Sequence, residues 1–363
     1  MSISLAWSQA FRKQETLVRG LINFAIGVAA FAFTCIGLHA VLPSPNIDEV
    51  SDKLRFFAQH KDEFDTLFLG SSRTYHEVSP PIFDQVMRDN GTPTRSFNFG
   101  IDGMHMPESN YVLERIFEIK PANLKWVVIE FDEVQTNWLF QDEGSRRAVY
   151  WHDWKRTSII LRKMLDAGTG FIWFPSPKKL LYIITHRTPR RLVAFHASQF
   201  QKDFTNLGRA SDIWDYFCCR DKAPDLKWLG LDADGYRPFK TKMSPAQVGD
   251  YEEILTRAQK KTGPEPISVY TDKSGRECAE KIRELGAIPV FVVDPILTSQ
   301  SEMTFRSDPP GVVISFNDAR AYPNLYRTDM RLDRNHLNKT GAEEYSRLMA
   351  LKFVELLNAG KIQ

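Results

Sequence analysis

The sequence predicts an α/β protein, a doubly wound parallel sheet carrying a large helical insertion and preceded by one transmembrane helix. Three observations predict it. Short apolar runs of strand length alternate with amphipathic stretches of helix length in two parts of the chain. An uncharged stretch lies near the N-terminus, at 21–42, and a segment of different composition, about 134–263, separates the two alternating parts. The 363 residues, 43% of them hydrophobic, hold ample material for a core once the apolar stretch is set aside. A formal charge of +2 excludes a general electrostatic grip on nucleic acid.

Taken in order, the first element is the stretch 21–42. At about 1.5 Å per residue it spans a hydrocarbon core of roughly 30 Å. Arg12, Lys13 and Arg19 precede it, while Pro43, Pro45, Asp48 and Glu49 follow. The positive-inside bias therefore leaves 1–20 in the cytoplasm and turns the bulk of the chain toward the periplasm or cell exterior. The rival reading is a cleaved signal peptide, whose apolar region is shorter, about 7 to 15 residues. Here the run continues well past the small residues Ala29 and Ala30, which favours a retained anchor in the inner (cytoplasmic) membrane. Asn23 and His39 are expected near the interfaces.

Residues 43–61 read as a linker and 62–358 as the α/β domain. The run 65–69 is a short buried strand, followed by a helix over 81–89, a strand at 95–98, a helix over about 107–119 and a strand at 125–131. After the insertion the pattern resumes with a helix over about 270–285, strands at 288–293 and 312–316, and a final helix over about 340–357.

The insertion is rich in aromatic and basic residues: Trp151, Trp154, Lys155 and Arg156, then Phe171, Ile172, Trp173, Phe174 and Pro175, with Lys178, Lys179, Arg187, Arg190 and Arg191. Such a mixture suits a lipid headgroup layer or a docking face on a membrane partner, and aromatics also stack on sugars. A helical subdomain using these aromatics as its own core is an equally weighted reading. Asp232-Ala233-Asp234-Gly235 lacks the later bidentate glutamate of a calcium loop and reads as a turn. Of the four cysteines, Cys35 lies in the span, Cys218 and Cys219 are adjacent, and Cys278 stands apart, a spacing unlike a zinc site. A disulfide from Cys278 to the adjacent pair and unpaired buried thiols both remain open.

Two short segments carry chemistry. Leu67-Phe68-Leu69 runs into Gly70-Ser71-Ser72, and Gly70 permits the sharp turn that leaves a serine hydroxyl at the C-terminal edge of a strand, where open α/β sheets bind ligands. Far downstream stands Asp333-Arg334-Asn335-His336. Three residues apart in a turn-rich loop, Asp333 can reach one ring nitrogen of His336 and leave the other free as a base. Each motif alone is common in turns and helix caps. Together, in the order Ser, Asp, His, they supply a serine nucleophile system and point to acyl transfer.

These segments resemble the SGNH hydrolase superfamily, whose first block is Gly-Asp-Ser and whose last is Asp-x-x-His. The resemblance covers about 62–133 and 265–358, and implies a flavodoxin-like sheet. It makes Ser72 the nucleophile and puts Ser71 where the family has aspartate. The Gly-Ser-Ser variant behind a membrane anchor is most similar to the DltD-like group that accompanies polysaccharide acylation. A second block matches in Asn98-Phe99-Gly100-Ile101-Asp102-Gly103. By that analogy the amides of Ser72 and Gly103 face the developing oxyanion, with Asn98 at the head of the same substrate-facing run. The third block, Gly-x-Asn-Asp, is absent, since the chain continues Glu130-Phe131-Asp132-Glu133. The resemblance implies a serine-dependent O-acyltransferase, acetyl transfer foremost, acting on an exported or cell-envelope polysaccharide. It also implies a multipass membrane-bound O-acyltransferase as the partner that supplies acyl groups, and the chemistry needs no metal or organic cofactor. A periplasmic esterase or lipase and a non-catalytic polysaccharide-assembly component are the alternatives.

Overall fold

The computed structural model describes residues 2–43, 45–134, 136, 146–166, 177–218, 223–260, 264–297 and 302–363. Within them run the strands β1 (Thr66–Gly70), β2 (Ser96–Gly100), β3 (Trp126–Glu130), β4 (Pro264–Pro266), β5 (Ile288–Val293), β6 (Glu302–Thr304) and β7 (Val312–Ser315). Five of them form one parallel sheet in the order β2-β1-β3-β5-β7, while β4 and β6 pair separately. The strands expected from the sequence are found within one or two residues of their positions.

Parallel strands need crossovers, and these put helices on both faces. Leu67, Leu69, Phe97, Phe99, Val127 and Ile129 point to one face. There they meet α2 (Asp48–His60), α5 (Glu108–Glu118) and α12 (Val269–Glu284). The alternate residues Phe68, Trp126, Val128, Val290 and Val292 point the other way, against α4 (Pro80–Asp89) and α13 (Lys339–Asn358). The order reverses between β1 and β3, so the crevice beyond their C-terminal ends is where such a sheet binds ligands. A short helix, α3 (Ser72–Glu77), leaves β1 directly at that crevice.

The N-terminal helix, α1 (Ser2–Val41), contains a 26-residue stretch, Thr16–Val41, long and apolar enough to cross a membrane. The segment 43–61 is not the linker its sequence suggested. Val50 and Phe57 of α2 are buried in the sheet core, with Leu54 packed against it, an i, i+4, i+7 stripe hidden among charged neighbours. The connection between α1 and the domain is therefore short, and it is tied down. The Asn206 amide donates to the Cys35 carbonyl at 3.3 Å, the Arg209 guanidinium donates to the Pro43 carbonyl, and the Asn46 amide donates to Asp212 at 3.2 Å.

The insertion holds α6 (Arg146–Tyr150), α7 (Trp154–Leu165), α8 (Pro177–Thr185), α9 (Arg187–Thr205), α10 (Ala210–Cys218) and α11 (Pro245–Ala258). It does not keep a core to itself: Trp151, Ile160, Met164 and Leu192 join the sheet-facing cluster of α2, α5 and α12. Trp154, by contrast, is exposed. The run 171–175 lies outside the described residues. Cys218 and Cys278 are free thiols, one exposed and one buried, and Cys219 is also outside the described residues. The Asp232–Gly235 run is a turn, with Ala233 at φ 53° and Gly235 at φ 86°. Its Asp234 carbonyl accepts from the Asn98 amide at 2.7 Å, so the later part of the insertion closes the open edge of β2.

Candidate active site

Ser71 and Ser72 follow β1 at the reversal point of the sheet. Gly70 and Gly100 end adjacent strands, and α3 crosses them closely. A Cβ on Gly70 would lie 2.0 Å from Thr74 Oγ1, and one on Gly100 would lie 2.2 Å from the Tyr75 amide nitrogen. Only glycine admits α3 there. Ser71 caps the helix, its Oγ accepting from the Arg73 amide at 3.2 Å. Ser72 becomes the first helical residue, half-buried at the crevice.

Two segments 264 residues apart in the chain meet here. Ser72 Oγ lies 2.9 Å from His336 Nε2, and His336 Nδ1 lies 3.1 Å from both carboxylate oxygens of Asp333. With the Nδ1 proton directed at the carboxylate, Nε2 presents its lone pair to the serine hydroxyl. Asp333 also accepts from the amides of Asn335 at 2.7 Å and His336 at 2.9 Å, an Asx turn that fixes the loop. Burial pushes the Asp333 carboxyl up, but the bond from His336 and these amides outweigh it and hold the group below the usual range. Beneath the loop, buried Arg331 donates to the carbonyls of Pro295, Leu325, Asp333 and Arg334.

In the place of the missing third block stands Glu130, at the end of β3. It accepts from the Ser71 amide at 2.5 Å and the Ser71 hydroxyl at 2.8 Å. Arg73 Nε donates to it at 2.8 Å, and Arg73 also reaches Asp132 at 2.9 Å and Asp294, at the end of β5, at 3.2 Å. Burial pushes the Glu130 carboxyl up, yet the Arg73 charge and the Ser71 amide prevail and keep it ionised. Burial beside Glu130 drives Asp294 the other way, well above the carboxylate range. One arginine thus ties the ends of β3 and β5 to the Ser71–Ser72 turn. Sequence reasoning missed this cluster, although Glu130 ends one apolar strand and Asp294 directly follows another, where a buried charge is unexpected.

Asn98 requires a correction. Its side-chain amide donates to the carbonyls of Thr74 at 2.6 Å and Val78 at 2.7 Å, and its oxygen accepts from the Gly100 amide. Both amide protons are occupied and the residue is fully buried, so it holds α3 in place and cannot face substrate. Gly103 lies at an exposed turn with φ 65°. Among the described residues neither its amide nor that of Ser72 donates to a backbone carbonyl outside regular structure.

A second imidazole lines the crevice. His76 follows Ser72 by one helical turn, and its Nε2 lies 2.8 Å from Asp102 Oδ1 while Nδ1 bonds the Arg237 carbonyl. Phe239, from the insertion, stacks on His76 at 3.9 Å and meets His336 edge-on at 5.4 Å. The insertion therefore contributes a wall of the site, which its position outside both matching segments concealed. An open depression of about 420 Å³ adjoins the loop, between Asp333–Asn335 and α11 residues that include Gln247, Asp250 and Tyr251. No known protein family and no curated protein matches the chain detectably, so the site is read from its own geometry.

Proposed function

We propose that the chain is a serine acyl-transfer enzyme of the SGNH type, an O-acyltransferase working outside the cytoplasmic membrane on an exported or cell-envelope polysaccharide. The observation that carries this reading is the hydrogen-bonded chain from Ser72 through His336 to Asp333 at the reversal point of a parallel sheet. As Ser72 Oγ attacks the carbonyl carbon of an acyl donor, His336 Nε2 takes the hydroxyl proton, and Asp333 stabilises the imidazolium. The amides of Ser72 and Gly103 receive the oxyanion. Collapse expels the donor's leaving group with the proton from His336 and leaves an acyl-serine. A sugar hydroxyl, deprotonated by His336, then attacks the acyl carbon, forming the sugar ester and restoring Ser72.

The anchor and the basic residues before it orient the domain outward, and a multipass O-acyltransferase in the same membrane would bring acyl groups across. Because Asp333 and His336 are partly exposed, at 30% and 23%, water can replace the sugar, and an esterase is the second reading. The test is acyl-enzyme capture. Purified protein should take up a fluorophosphonate on Ser72 and show an acyl mass adduct on brief exposure to a small ester. Ser72→Ala should lose both, with an unchanged melting temperature, because the hydroxyl sits at a half-exposed turn. Labelling that persists in Ser72→Ala would overturn the assignment, and the ratio of sugar ester to free acid formed from the adduct separates transferase from esterase.

A further inference from the structure

From the joint between α1 and the insertion we infer that α10 is a membrane-interface element, its exposed aromatic face seated in the lipid headgroup layer. This rests on reading α1 as a retained span. The stretch Thr16–Val41 has 26 residues. At about 1.5 Å per residue it is roughly 39 Å long, about 9 Å more than a hydrocarbon core of ~30 Å. Charged Arg19 puts part of that surplus at the cytoplasmic end, and about twenty residues from Leu21 reach Ala40, so the segment from about Val41 to Asn46 stands at headgroup level.

The insertion is fastened from the last turns of α1 outward to that level. The Asn206 amide donates to the Cys35 carbonyl at 3.3 Å, and His39 Nε2 lies 2.9 Å from the Asp203 carbonyl. Arg209 then bonds the Pro43 carbonyl and Asp212 accepts from the Asn46 amide, so α10 begins against the chain just leaving the span. Asp212 is itself buried, taking Arg209 at 2.8 Å and the Tyr150 hydroxyl at 2.9 Å. This fixes the rotation of α10. At about 100° per residue, Trp214 and Phe217 fall roughly 200° and 140° round the helix from Asp212, on the opposite side. They are 67% and 74% exposed, and Leu207, in the preceding loop, is 66% exposed.

Large aromatics exposed on a helix locked beside a membrane exit match the chemistry of the interface, where apolar rings enter the acyl boundary and the indole N–H of a residue such as Trp214 stays wet. Lipid is the occupant the position favours, because α10 is bonded to the chain just leaving the apolar α1 and needs no second protein to bring it to the bilayer.

The test uses the full chain in vesicles of phosphatidylcholine and phosphatidylglycerol. Trp214→Cys, in a Cys218→Ser, Cys219→Ser background, is spin-labelled and its relaxation by oxygen and by an aqueous nickel chelate compared with that of Leu231→Cys, a position 97% exposed. Oxygen should dominate at 214 and the chelate at 231. Equal chelate access at both positions overturns the inference, and so does protection of 214 that appears only in native membranes, which would assign the face to a protein partner. Vesicle flotation separates the two readings: a chain that fails to float removes the span and the interface together, whereas a floating chain with a wet Trp214 removes α10 alone. Loss of fluorophosphonate labelling bears on neither.

Discussion

Two adjacent serines with identical side chains have different tasks because the backbone turns between them. Ser71 is buried, caps α3 and donates to Glu130, while Ser72 meets His336. Ser71→Ala should therefore lower stability by about 1–2 kcal/mol through the lost cap and an undersatisfied carboxylate. Fluorophosphonate uptake at Ser72 should survive. Labelling lost in Ser71→Ala and kept in Ser72→Ala would move the nucleophile by one residue. Asp333→Asn retains an oxygen for the Asn335 and His336 amides, so its melting temperature should hold. Turnover of a small ester should fall by about 10⁴-fold, because the amide no longer selects the tautomer that leaves Nε2 free. Wild-type turnover in that variant would make Asp333 a turn residue only. That Ser72, His336 and Asp333 would meet was legible because each belongs to a local motif. Glu130, Arg73 and Phe239 were not, since their roles come from neighbours 56 or more residues away or from ring contacts across the fold.

At the scale of elements, the strands were readable because full burial on both faces leaves an apolar run with little choice of conformation. Helix α2 was hidden because its core side carries Lys53. That ammonium donates to the carbonyls of Gly100 at 2.6 Å and Gly235 at 3.1 Å and lies 3.8 Å from the Tyr75 ring. A lysine in a core stripe reads as an interruption of it. Here it joins the end of β2 to the insertion. Burial lowers its pKa to about 7, against about 10.4 in an unfolded chain. Between these values the unfolded chain holds a proton that the folded chain has released, so stability rises with pH across that window. Below about 7 both states are charged and the fold carries the full desolvation penalty. In urea unfolding of the detergent-solubilised chain from pH 7 to 10, wild type should gain on Lys53→Met by up to about 1.4 kcal/mol per pH unit. A difference that stays flat with pH would show that Lys53 keeps its proton throughout.

For the whole molecule, the parallel sheet and the apolar N-terminal helix followed from the sequence, whereas the place of the insertion did not. Its composition set it apart, yet its inner helices complete the sheet-facing core and its later residues wall the crevice. Under the proposed function α1 is a tether, since a fixed anchor would keep Ser72 at a high effective concentration of a membrane-borne acyl donor. Cutting after Pro45 leaves α2 and every crevice residue intact. The soluble domain should retain small-ester turnover and lose most polymer acylation when expressed outside the membrane of a deletion strain. Full acylation by the soluble form would remove the need for the tether.

The bonds joining the end of α1 and the residues just after it to Asp203, Asn206, Arg209 and Asp212 have one more consequence. A span longer than the hydrocarbon it crosses must lean or protrude, and the lean increases as a bilayer thins. On a slack connection the domain would not register such a change. With this clasped neck the helix and domain turn as one lever, and a lean of the span becomes an equal swing of the crevice toward or away from the lipid surface. If α1 spans a bilayer as proposed, the thickness of the host membrane would thereby bias the direction in which Ser72 faces.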